Sequence, residues 1–143
     1  MALFGRDKQI EHLENVPIFD GCTRRQLLEV AKISEVVEVP AGKTLAHAGE
    51  PGHEFYLILE GTARVEVSAR KSRRLGPGDF FGEMSLLDGE PRSATVVAET
   101  PMQLLVIHRR SFWTLLTEIP HLTYKILVTL CQRVRQLEKS SIA

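Results

Sequence analysis

Between residues 34 and 108, short β-rich runs alternate with turns built on glycine and proline, and helical periodicity is confined to the two ends of the chain. Residues 36–39 are followed by Pro40-Ala41-Gly42-Lys43, residues 44–48 by Gly49-Glu50-Pro51-Gly52, and residues 55–59 by Glu60-Gly61. Ala63, Val65 and Val67 alternate with Arg64, Glu66 and Ser68, as in a strand with one wet face. Gly76-Pro77-Gly78-Asp79 makes another turn, and residues 95–98 and 102–107 supply the last strands. Turn signals at this spacing predict an antiparallel sandwich or barrel, with a jelly roll as the expected form.

The ends read as helices. Ile10, Leu13 and Val16 form a weak helical stripe from Asp7 to Asn15, stopped by Pro17. Thr23-Arg24-Arg25-Gln26 has the form of a capping box, in which the threonine hydroxyl serves an open N–H and the glutamine reaches back. Leu27, Leu28 and Ala31 give the helix that follows its buried face. Beyond His108, Phe112, Leu115 and Leu116 share one helical face, and Pro120 opens a further helix. Leu122, Ile126, Leu130, Val134 and Leu137 then recur at three- and four-residue spacing, which predicts an amphipathic helix of about five turns, to about Lys139. No internal repeat or linker is visible. The expectation is one domain over 1–143, mainly β with flanking helices: a barrel at about 34–108 and two C-terminal helices at about 109–139. A chain of 143 residues is large enough to bury a core without staples.

Charge and composition remove several function classes. Eighteen basic residues balance eighteen acidic ones, so the broad positive field of a nucleic-acid binder is missing and no direct nucleic-acid partner is expected. Cys22 and Cys131 lie far apart, outside any metal-ligand spacing, and read as reduced, partly buried thiols. Histidines at 12, 47, 53, 108 and 121 are scattered, so neither a metal site nor the metal-dependent chemistry of other small barrels is expected. The N-terminus lacks a signal-peptide core, and no apolar run reaches the ~20 residues that span a bilayer, which points to the cytoplasm and to no membrane partner. The basic stretch at 69–74 reads as a solvated hairpin able to touch an acidic surface.

Residues 81–96, Phe-Gly-Glu-Met-Ser-Leu-Leu-Asp-Gly-Glu-Pro-Arg-Ser-Ala-Thr-Val, carry the chemistry. Glu83 offers a carboxylate acceptor, the turn Gly82-Glu83-Met84-Ser85-Leu86 offers backbone N–H groups, and Arg92 offers a guanidinium whose direction Pro91 limits. Such a set suits a small ligand with a sugar hydroxyl at one end and a phosphate at the other. Glu83, Arg92 or Ser93 alone would read as a surface residue, but Gly-Glu followed eight residues on by Pro-Arg-Ser-Ala-Thr is hard to obtain by accident. No nucleophile–base pair or metal site accompanies them, so a binding protein rather than an enzyme is expected.

The segment resembles the phosphate-binding cassette of the cyclic nucleotide-binding domain family, typified by catabolite activators and protein kinase A regulatory subunits. Gly49 to Gly61 is also similar, with His53 where an Asp is common, as is Leu75-Gly76-Pro77-Gly78-Asp79-Phe80-Phe81-Gly82. The resemblance covers roughly residues 15–138. It implies a jelly roll (double-stranded β-helix), a ribose 2′-OH on Glu83, a cyclic phosphate on Arg92, and the backbone N–H and hydroxyl of Ser93 beside it. Ligand contacts are expected from Phe81, Gly82, Glu83, Met84, Ser85, Pro91, Arg92, Ser93 and Ala94. The implied ligand is cAMP or cGMP, with cAMP the family's commoner one, and no cofactor is expected. The signal is expected to travel through the C-terminal helix, with Leu86 and Leu87 repacking near Phe112 or Trp113, toward an effector not named by the sequence, with a homodimer through that helix as a further expectation. Tyr124 and Trp113 are aromatic enough to meet a base, though helical spacing favours the core for both. The alternatives are a domain of this fold that no longer binds, or the regulatory part of a transcription factor, channel or kinase.

Overall fold

The computed structural model describes residues 2–67 and 72–142, with side chains from 8 to 140 among them. Part of the basic hairpin at 69–74 therefore lies outside the described residues. The chain runs through α1 (Ala2–Glu14), a 3-10 turn (Pro17–Phe19) and α2 (Arg24–Lys32) before the strands begin. These are β1 (Ser34–Val39), β2 (Thr44–Ala46), β3 (Glu54–Glu60), β4 (Ala63–Glu66), β5 (Ser72–Leu75) and β6 (Phe80–Phe81). A short α3 (Glu83–Asp88) interrupts them, then β7 (Thr95–Ala98) and β8 (Met102–His108) follow, and α4 (Arg109–Glu118) and α5 (Pro120–Ile142) end the chain.

The described strands form two four-stranded sheets, in the orders β1-β8-β3-β6 and β2-β7-β4-β5, and every pairing between them is antiparallel. This is the jelly roll expected from the turn spacing. Side chains alternate across a strand, and on β3 and β8 both faces are covered. Ile58, Leu104 and Val106 point between the sheets, toward Val65, Leu75, Phe81 and Val96. Phe55, Leu57, Leu105 and Ile107 point the other way and pack beneath the helices, against Leu13, Val30, Phe112 and Ile126. Phe112 stacks on Phe55 with ring centroids 4.9 Å apart, and Phe55 meets Phe80 at 5.5 Å, so α4 is tied to β3 and β6 through three rings.

The capping box forms as read: the Gln26 amide donates to Thr23 Oγ1 at 3.1 Å and the Thr23 amide to Gln26 Oε1 at 2.9 Å. Leu27 and Ala31 are buried with Val30, while Leu28 is only half-buried. Several expectations change. Helix α1 begins at Ala2 rather than near Asp7, and Pro17 opens the 3-10 turn instead of merely ending a helix. Val67 is 55% exposed because β4 stops at Glu66, one residue before it. Cys131 is exposed rather than partly buried. The apolar stripe of α5 divides: Leu122 and Ile126 are buried, whereas Val134 and Leu137 face solvent. Among the described residues, no helix is long and apolar enough to cross a membrane.

Removing the cap hydroxyl should be mild and removing the central ring severe. Thr23→Ala is expected to lower unfolding stability by about 1 kcal/mol, and Phe112→Ala by about 3 kcal/mol or more, as measured by denaturant unfolding. Equal effects would remove the three-ring contact as an anchor of α4.

Candidate functional site

Strand β6 delivers the chain to Gly82, whose φ of 92° lies in the left-handed region that side chains avoid. A Cβ there would stand 2.6 Å from the Glu54 carbonyl oxygen and 2.7 Å from Arg92 Nη1. Glycine therefore does two things: it permits the turn into α3, and it lets the arginine reach the main chain.

Helix α3 carries Glu83 inward to 2% exposure. Its Oε1 accepts a hydrogen bond from Arg133 Nη1 at 2.7 Å, and Arg133 Nη2 donates to the Phe80 carbonyl at 2.6 Å. The guanidinium of Arg133 also lies 4.6 Å from the Phe80 ring centroid. One residue of α5 thus grips both the strand that enters α3 and the first residue of α3 itself. Glu83 Oε2 is buried and has no hydrogen-bond partner among the described residues. Burial raises the Glu83 pKa above the ordinary glutamate value, against the lowering pull of Arg133.

Arg92 enters from the opposite side. Its backbone is clamped to the turn at 49–52: the Arg92 amide donates to the Glu50 carbonyl and the Gly49 amide to the Arg92 carbonyl, both at 2.8 Å. Nη1 donates to the Gly82 carbonyl and Nη2 to the Glu54 carbonyl, each at 3.1 Å, with the guanidinium 5.8 Å from the Tyr56 ring centroid. Gly52 makes room for this arm, since a Cβ there would sit 2.8 Å from Arg92 Cζ and Nε. The two glycine-bearing segments read from the sequence are therefore parts of one construction.

These groups surround a cavity of about 70 Å³. Phe81, Gly82, Glu83, Met84, Ser85, Arg92, Ser93 and Ala94 line it. Pro91 does not; it is exposed and acts on the direction of the chain. Neither Trp113 nor Tyr124 lines the cavity. Trp113 instead donates from Nε1 to the Leu86 carbonyl at 3.0 Å, tying α4 to α3, and Tyr124 is 62% exposed. Leu86 is fully buried, while Leu87 is 36% exposed. Five lining residues lie outside the expected contacts: the apolar Ala46, Val65 and Val96, and two arginines, Arg73 on β5 and Arg133 on α5. Arg133 lies three residues beyond Leu130 and seven beyond Ile126, on the covered face of α5, and that phase was the available signal. Among the described residues, no group of acidic, histidine or cysteine side chains is arranged to hold a metal ion.

Residues 36–118 match the family model described as the cyclic nucleotide-binding domain. Over 107 residues the chain is 40% identical to a cyclic nucleotide-gated potassium channel of Mesorhizobium japonicum, covering 75% of this chain and 30% of the channel. The chain spans about a third of the length of the curated relatives it matches. Among solved structures it is similar to one described as Sp-2Cl-cAMPS bound to PKAR CBD2, with a TM-score of 0.80, 25% identity and coverage of 95% of this chain and 93% of the other. It is also similar to the regulatory subunit of a cAMP-independent protein kinase A from Trypanosoma brucei, with a TM-score of 0.83, 27% identity and coverage of 98% and 50%. With the turns, the cassette and the jelly roll all in agreement, the chain belongs to the cyclic nucleotide-binding domain family.

Proposed function

We propose that this chain binds a 3′,5′-cyclic nucleotide between Arg92 and Glu83 and reports it through α5. The observation that carries the reading is the unpartnered Oε2 of a buried Glu83 on the same cavity as an arginine held inward by two carbonyls. A buried acceptor without a donor is unfavourable by about 1–3 kcal/mol, and a ribose hydroxyl supplies that donor. A guanidinium has five N–H donors, and the two carbonyl contacts of Arg92 leave the others for a cyclic phosphate. The channel relative and the cAMP-analogue-bound neighbour support the ligand class. The Trypanosoma neighbour, described as cAMP-independent, has the same fold, so fold alone does not favour binding. The alternative of a domain that no longer binds is disfavoured here by the placement of Arg92. We read the bound nucleotide as a signal rather than a substrate, which the match to a binding-domain family supports.

Pockets for ligands of this size measure roughly 300 Å³ or more, against about 70 Å³ here. Arg133 is the wall held by polar contacts from a separate helix, and we place the ligand-driven adjustment there. Nucleotide in the cavity competes with Arg133 for the space beside Glu83, so occupancy and the position of α5 are coupled. The outward side of α5, with Tyr124, Leu127 and Val134 exposed, is where we place the pairing with a second copy. Downstream, the reading places the chain in the control of a kinase- or channel-type effector.

Calorimetric titration with cAMP and cGMP tests the site. Arg92→Ala should weaken binding by about 2 kcal/mol or more, because the desolvated phosphate loses its counter-charge; unchanged affinity would take Arg92 out of the site. Amide exchange tests the coupling: nucleotide should alter protection in residues 110–139, and an unaltered pattern would refute the role of α5. The pH dependence follows from Glu83. Its raised pKa means that the folded chain keeps a proton the unfolded chain has already lost, so stability declines as pH climbs from the ordinary glutamate value through the folded one, and is level above it. Glu83→Gln should remove this component, so that the wild-type-minus-variant unfolding free energy falls across that window; a difference independent of pH would contradict the assignment.

A further inference from the structure

Arg92 rests on β3 beside an acidic residue and does not pair with its carboxylate. Nη2 donates to the Glu54 carbonyl at 3.1 Å, and the guanidinium lies 5.8 Å from the Tyr56 ring centroid. Glu54 and Tyr56 are two residues apart on one strand and project from the same face. The Glu54 carboxylate thus springs, on a flexible stem, from the residue whose main chain holds Arg92. A carboxylate and an arginine fork form one of the strongest side-chain hydrogen-bonded pairs. Yet among the described residues no carboxylate forms an ion pair with Arg92. Glu54 Oε2 instead accepts a hydrogen bond from the Tyr56 hydroxyl at 3.2 Å.

The Tyr56 ring is itself held. It stands opposite Phe81 in the β3–β6 pairing and stacks on that ring, with centroids 4.7 Å apart and planes at 14°. The backbone of Gly82 packs beside it, since a Cβ there would meet Tyr56 Cδ2 at 3.4 Å. Burial first, and the charge of Glu54 after it, push the Tyr56 hydroxyl up to about 12, so it keeps its proton and donates near neutral pH. A carboxylate seated on Arg92 and a phosphate seated there would compete for the same N–H donors. The phenol removes that competitor by giving the carboxylate another donor.

We propose that Tyr56 is a positioning residue that holds the Glu54 carboxylate off Arg92 and so keeps the guanidinium open to an anion. The inference rests on the reading of Arg92 as the phosphate holder, and adds an internal competitor, Glu54, that sets how tightly phosphate is held.

The test is calorimetric titration of the full chain with cyclic AMP and cyclic GMP, with Tyr56→Phe made in two backgrounds. Phenylalanine keeps the ring stack and loses only the hydroxyl. In the otherwise wild-type chain, Tyr56→Phe should weaken binding roughly fivefold, the scale of one partly exposed ion pair that phosphate must then displace. In the Glu54→Gln chain, where no carboxylate competes, the same change should cost about twofold or less. A merely structural role for the hydroxyl would give equal losses in both backgrounds, and that result overturns the proposal. So does a Tyr56→Phe chain that binds as wild type, or a Glu54→Gln chain that no longer binds, which would make the carboxylate a helper of the ligand. Binding that requires Arg92 but is unmoved by Tyr56→Phe defeats this inference alone. Failure of both nucleotides to bind wild type at millimolar concentration, or binding indifferent to Arg92→Ala, defeats the reading of the site and this inference with it.

Discussion

The contact on which the site depends is the ion pair between Glu83 and Arg133, two residues fifty positions apart. A carboxylate at 2% exposure forgoes hydration worth several kcal/mol after relaxation, and one hydrogen-bonded oxygen recovers only part of that. Such a pair is a poor device for stability, as buried pairs commonly break even against apolar packing. It is a good device for a conditional contact. Arg133 has alternatives in water, and Glu83 has an unpartnered oxygen that another donor can satisfy. The same bond lies on the cavity wall and fastens α5 to α3.

Arg92 illustrates the complementary strategy. Its two carbonyl contacts and the backbone clamp to Gly49 and Glu50 hold the guanidinium inward without an anion. Ordering a long side chain is unfavourable by about 0.5–1.5 kcal/mol at binding, and here the ordering is already done. The glycines at 52 and 82 are the geometric condition for it, because a Cβ at either would occupy the arginine's path. The cavity thus joins a guanidinium fixed at Arg92 to a carboxylate at Glu83 that one ion pair ties to α5.

Much of this was legible from the residues. Strand positions followed from period-two alternation and turn chemistry, and the cassette followed from residue types whose functions are local: a glycine that must turn, a proline that restricts its neighbour, an arginine that binds anions. What escaped were contacts made across the fold. Arg133 has its carboxylate partner on another element, so only its helical phase marks it in the sequence. Arg73 was hidden in a basic run, since only the pairing of Arg73 with Val65, against Arg74 with Arg64, separates the inward residue from the outward one. Val134 and Leu137 shared the phase of Leu122 and Ile126 yet are exposed, because periodicity gives the face of a helix and not where its support ends.

That last point bears on the signalling route proposed for α5. Beyond Ile126, α5 has little buried apolar area to hold it: Leu127, Val134 and Leu137 are exposed and Leu130 is half-buried. The polar grip of Arg133 on Glu83 and the Phe80 carbonyl is then a large share of what positions the second half of the helix. Moving a two-state element from 1:99 to 99:1 needs a differential affinity of about 5.5 kcal/mol. A helix packed along its whole length would exceed what a small ligand supplies through one carboxylate and one guanidinium, whereas a helix half-supported and pinned by one arginine falls within that range. Under the proposed coupling, the weak packing of α5 past Ile126 is what would let a contact of a few kcal/mol at Glu83 move it.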